Sequence, residues 1–186
     1  MIPWERAGET VTTKIDRQES AVLRGLVTQM DEMLRSRFDE APQDELATLT
    51  GMRTGPSTAP DDPILSRLLP DFHRLDDDTP KQDRDSAAAL RSLHEPDLID
   101  LKTGVAGVLL DTCPPGGGLV KLSPEQADAW LSALNDVRLA LGTTLAVSED
   151  MPDELPDDDP RAPHLGVYHW LTWMQESLVS ALSGDE

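Results

Sequence analysis

The chain has 186 residues, of which 38% are hydrophobic, and a formal net charge of −19 at pH 7. That length suits one domain spanning residues 1–186 that buries well over half of its unfolded surface. The charge argues against nucleic acid and anionic membranes, since phosphate binding needs clustered Lys and Arg and no basic run occurs; a basic protein partner suits it better.

Cys113 is the only cysteine, so an intrachain disulfide is excluded and a reducing, cytoplasmic setting is expected. The first residues lack the apolar stretch of a signal peptide. The longest apolar-and-glycine run, Gly104–Leu110, is too short to span a bilayer.

In chain order, Ile2–Arg6 and Thr10–Ile15 read as two short strands. Val11, Thr13 and Ile15 alternate with Thr12 and Lys14, and Ala7-Gly8-Glu9 supplies the turn of a hairpin. An isolated hairpin is marginal, so Leu119–Leu122 is the candidate third strand and Trp4 a cap on one end of the core. Asp16–Glu19 begins a helix to about Arg37, marked on one face by Val22, Leu23, Leu26, Val27, Met30, Met33 and Leu34. Its two methionines suit gap-filling in a core better than an adaptable groove.

A short helix is expected around Leu46 and Leu49, then a flexible linker over 51–61, rich in Gly, Pro, Ser and Thr. Asp62-Pro63 opens a short helix, Ile64–Leu69. Thr79-Pro80 opens another that runs to His94, with Pro96 expected to break it. The next, Asp97 to about Thr112, carries Leu98, Leu101, Val105, Val108 and Leu109, with Lys102 at the edge of its apolar face. Pro114-Pro115-Gly116-Gly117-Gly118 makes a sharp turn. It lacks the G-K-[ST] of a phosphate-binding loop.

The central helix starts at Ser123, where Pro124 and Gln126 complete a capping box worth about 1 kcal/mol. Trp130, Leu134, Val137 and Leu141 form its main stripe, and Gly142 is a plausible terminator. Leu131 and Leu139 lie off that stripe, so the helix is expected to be enclosed on most sides. Only Ser132 and Asp136 read as solvent-facing. Asn135 and Arg138 are then the polar residues expected to be half-buried, and Arg138 needs a partner, for which Glu176 is suspected. After a second, acidic linker over 148–163, a final helix from about His164 to Ser183 buries Val167, Trp170, Leu171, Met174, Leu178, Ala181 and Leu182. Trp173 projects away from that stripe. It either lies under the acidic linker or stands exposed as an anchor for a partner.

No histidine pair has metal-ligand spacing, and His73 beside Asp76–Asp78 reads as an exposed acidic turn. The one cysteine has no His nearby, and no G-x-S-x-G occurs. No catalytic residue, metal or cofactor is assigned.

The run W-L-x-A-L-N-D-V-R-L-A-L-G-T-x-L at 130–145, Y-x-W-L-T-W-M-Q-E-S-L-V at 168–179 and D-P-I-L-S-R-L-L-P-D at 62–71 resemble the bacterial family called domain of unknown function 2017, typical of actinobacteria. The resemblance spans nearly the whole chain. It implies a cytosolic protein without established catalytic residues. Some members carry a transcriptional-regulator label, which the charge here does not support. Family genes often adjoin the gene for the adaptor of the Clp protease, which implies a link to protein quality control or regulation.

The expectation is therefore a mostly α, single helical domain of about six helices with a small N-terminal β-hairpin. Trp130 and Trp170 are placed near the middle of its core. A non-catalytic regulatory or adaptor protein acting through protein contacts leads. The alternatives are a small-molecule or anion binder, or an enzyme, with a pocket near the central helix, and a transcriptional regulator. Candidate ligand or partner residues are Arg138, Asn135, Lys102, Trp173 and Glu176, and self-association stays open.

Overall fold

The structure, a computed structural model, describes residues 2–40, 54–72, 80–152, 154–156 and 158–184. Three strands, β1 (Glu5–Ala7), β2 (Thr10–Ile15) and β3 (Gly118–Leu122), form an antiparallel sheet in the order β1-β2-β3. Among the described residues there are five helices: α1 (Arg17–Asp39), α2 (Pro63–Leu68), α3 (Lys81–Thr112), α4 (Pro124–Leu145) and α5 (Ala162–Ser183). The short helix expected around Leu46 and Leu49 falls outside the described residues.

The expected third strand is present. Val11 faces Leu122 and Thr13 faces Val120 across β2 and β3, so Val11, Ile15, Val120 and Leu122 bury one face of the sheet on the helices. Gly117 enters β3 at φ +75°, and a Cβ there would lie 2.5 Å from the Asp16 backbone carbon. The glycine run thus lets two backbones touch where β2 passes into α1.

Local signals set the helix starts. Asp16 and Glu19 exchange the two hydrogen bonds of a capping box at 2.8 and 2.7 Å. Ser123 and Gln126 do the same for α4, with Pro124 in the first turn. Asp62 caps α2 by accepting from the amides of Ile64 and Leu65.

Pro96 does not break the chain into two helices. It lies inside α3, a continuous helix of 32 residues, and so the two helices expected there are one, which leaves five among the described residues where about six were expected. Proline removes one helical donor and leaves the carbonyl of residue 92 without its partner. Here the Gly55 amide donates to that Ser92 carbonyl at 2.7 Å, while Ser92 Oγ donates back to the Gly55 carbonyl at 2.7 Å. Gly55 suits this close approach, since a Cβ would stand 3.1 Å from the Pro96 ring.

Gly142 is not the terminator of α4. The helix continues to Leu145 and ends at Ala146, in the left-handed region at φ +53°. The Val147 amide closes the end on the Gly142 carbonyl at 2.9 Å. The absence of a side chain at Gly142 instead makes room for Tyr168, whose Cε2 would lie 3.3 Å from an added Cβ.

α4 is the hub. It packs against α1, α2, α3, α5 and both β2 and β3. Trp130 is fully enclosed, donates from Nε1 to Thr112 Oγ1 at 2.7 Å and meets Trp4 edge-on at 5.4 Å between ring centroids. Trp170, expected beside it, is only half-buried. Met151 and Leu155, from the expected second linker, pack against the core.

Replacing Trp130 with Ala should cost about 3–5 kcal/mol in urea unfolding. Trp170→Ala should cost clearly less, because part of its ring already faces solvent. Equal losses would contradict the ranking of the two sites.

Candidate functional site

The expected polar cluster on α4 divides into three environments. Asn135 is exposed, on the outward face with Asp128 and Ser132. The neighbouring Asp136, expected outside, is 5% exposed and accepts a hydrogen bond from Lys102 Nζ of α3 at 2.6 Å. The reason is rotational. The stripe of Trp130, Leu134 and Val137 is flanked by α3 on the Asp136 side, which leaves Asn135 in water. Lys102 is therefore committed to an interhelical ion pair, which satisfies the buried carboxylate.

Arg138 is half-buried, as expected, but its partner is not Glu176. Its Nη1 donates to Gln175 Oε1 of α5, one residue away, while Glu176 is exposed. The guanidinium carbon lies 5.6 Å from the centre of the Tyr168 ring, a cation–π contact. Nε is enclosed with no acceptor among the described residues. A cavity of about 250 Å³ adjoins Arg138 and is also lined by Arg67, Leu139, Gly142, Thr143 and Tyr168. Neither Asn135 nor Lys102 reaches it.

Trp173 stands 38% exposed on α5. His169, Glu176 and Ser180 are exposed along the same face. The side chain is thus partly exposed rather than enclosed.

A buried charge network escaped sequence reasoning. Glu95 is 0% exposed and accepts from Arg37 Nε at 2.8 Å and from Arg91 Nη1. Arg91 also reaches Asp71 at 2.6 Å and the Leu69 carbonyl, and Arg37 reaches Glu40 and the Thr58 carbonyl. Burial opposes the charge of Arg37, but its hydrogen bonds to Glu40 and Glu95 and their negative fields outweigh that and raise its pKa. The only sequence signal was the i,i+4 spacing of Arg91 and Glu95, which ordinarily marks a surface pair.

Cys113 closes α3 and is buried. Burial pushes its thiol upward from the ordinary range, and contacts with Ser20 and Arg24 only partly oppose this. Arg24 also donates to the carbonyls of Leu110 and Cys113, placing a cation at a helix end that has no basic residue of its own. His73 lies outside the described residues, and His94 is exposed beside Phe72. Among the described residues no group of three potential metal ligands occurs, and no helix is long and apolar enough to cross a membrane.

The chain belongs to the family described as Domain of unknown function (DUF2017), whose family model matches residues 1–182. It is similar to the protein named "Oxidative stress regulator AosR" of Mycobacterium bovis, at 45% identity over 186 residues, covering 97% of this chain and 85% of that protein. The protein of the same name from Mycobacterium tuberculosis gives the same identity and coverage. No solved structure matches the chain.

Glu95→Ala should destabilise the fold by about 3–5 kcal/mol, because two buried guanidiniums lose their common partner. Asp97→Ala, an exposed change on the same helix, should stay within about 0.5 kcal/mol. Chemical denaturation of both variants tests the contrast. Cys113 should alkylate at pH 8 at least about tenfold more slowly in the native protein than in urea, since the raised pKa and burial both suppress the reactive thiolate. Equal iodoacetamide rates would overturn its assignment as an enclosed thiol.

Proposed function

We propose that this chain regulates a response to oxidative stress by contact with another protein in the cytoplasm. The observation that carries the reading is the 45% identity, over 97% of the chain, to proteins named as oxidative stress regulators. Two features of the chain support action through protein contacts. Trp173 offers a large aromatic surface on α5 that the core does not use, and Trp is enriched among residues that dominate binding energies. The charge of −19 favours approach by a basic partner surface and opposes binding to DNA. The Clp-associated machinery implied by family gene order is the first partner to test.

Deleting the gene should increase sensitivity to peroxide, and the wild-type chain should restore resistance. Trp173→Ala should fail to restore it while keeping the wild-type unfolding midpoint, as expected of a surface change. A deletion strain as resistant as its parent would reject the regulatory reading. Full rescue by Trp173→Ala would remove Trp173 from it.

A further inference from the structure

The cavity beside Arg138 has a charge opposite to the rest of the molecule. Arg67 of α2 and Arg138 of α4 both line it, and no carboxylate among the described residues does, in a chain with 35 acidic residues against 16 Lys and Arg. Four other arginines are neutralised: Arg35 by Asp31, Arg37 and Arg91 by Glu95, and Arg161 by Asp159. Among the described residues, neither Arg67 nor Arg138 has an acidic partner.

Arg138 is positioned without being neutralised. A neutral amide oxygen, that of Gln175, accepts from Nη1, and the Tyr168 ring lies against the guanidinium. Nε has no acceptor, and no acceptor among the described residues engages Nη2. Two cations lining one partly enclosed volume repel each other more strongly than they would in bulk water. The carbonyl end of α4 offsets part of this, but its last turn is already closed by the Ala146 and Val147 amides.

We propose that the Arg67–Arg138 cavity is a binding site for a small organic anion, with a carboxylate or phosphate head held by the two guanidiniums and an apolar body against Leu139 and Val147. The planar guanidinium fork matches both head groups. A volume of about 250 Å³ suits a metabolite-sized ligand, since sites for drug-sized molecules occupy roughly 300–1,000 Å³. A larger groove beside Trp170 offers no comparable charge. The acidic residues on its border, Asp16 and Glu19, are already engaged in capping α1. The proposal stands independently of the regulatory reading.

The test is a titration of the full chain followed by proton–nitrogen NMR, with sodium phosphate and sodium acetate as probes and sodium chloride at matched ionic strength as the control. The Arg138 Nε–H signal, assigned by its loss in Arg138→Lys, and the Val147 amide should shift saturably with at least one oxyanion and not with chloride. Response to phosphate alone assigns a phosphate head, and response to acetate alone a carboxylate. Arg67→Ala, an exposed change whose remaining spectrum reports on the fold, should weaken the apparent Kd by at least about tenfold through loss of a charge-assisted contact. No saturable shift with either oxyanion up to about 20 mM, well past millimolar affinity, overturns the site. So does an unchanged Kd in Arg67→Ala.

Discussion

Trp130 has to be enclosed on every side, and an enclosed indole needs both flat apolar surface and an acceptor for its N–H. Three separate parts of the chain supply these. The end of α3 provides Thr112 Oγ1, which itself donates to the Val108 carbonyl at 2.7 Å. The N-terminal segment provides the edge of Trp4, and α5 holds that segment through Ser177 Oγ, which accepts from the Trp4 amide at 2.8 Å. Sheet, α3 and α5 therefore converge on one side chain of α4. Once Trp130 faces inward, the remaining directions on α4 are set. Asp136 turns to α3, Arg138 turns to α5, and Asn135 is left in water.

A second constraint operates at the other end of α3. Pro96 should interrupt a helix, and Glu95 should not be buried. Both are tolerated because the same neighbouring segment answers both. Gly55 restores the hydrogen bond that Pro96 removes, and Thr58, Leu69 and Asp71 share the two arginines that hold Glu95. Such networks contribute less to net stability than apolar packing of equal volume would. Their effect here is geometric: residues 54–72 lie across α3 where the Ser92 carbonyl and Glu95 receive them.

The acidic composition bears on the site through what it neutralises. Carboxylates hold Lys102, Arg35, Arg37, Arg91 and Arg161 in ion pairs, and those of Lys102, Arg37 and Arg91 join distant parts of the chain. Arg67 and Arg138 stand outside that scheme. The thiol of Cys113 is buried, and that burial raises its pKa. The exposed Trp173 and the cationic cavity at Arg138 both involve α5, so a ligand at one would sit on the helix that presents the other.

The amino-acid sequence by itself determined the local structure. The capping boxes at Asp16 and Ser123, the apolar stripes of α1, α4 and α5, the hairpin and its third strand were all legible, because caps, periodicity and turns act over a few residues. The family could also be recognised from the two tryptophan-bearing helices. Tertiary structure decided the rest. Whether Pro96 breaks a helix depends on an amide supplied 41 positions earlier, at Gly55. Whether Asp136 or Asn135 is buried depends on which neighbour flanks α4, and whether Arg138 meets Gln175 or Glu176 depends on the rotation of α5. Those are questions of partnership across distant segments, and a polar side chain carries no local mark of the partner it will meet.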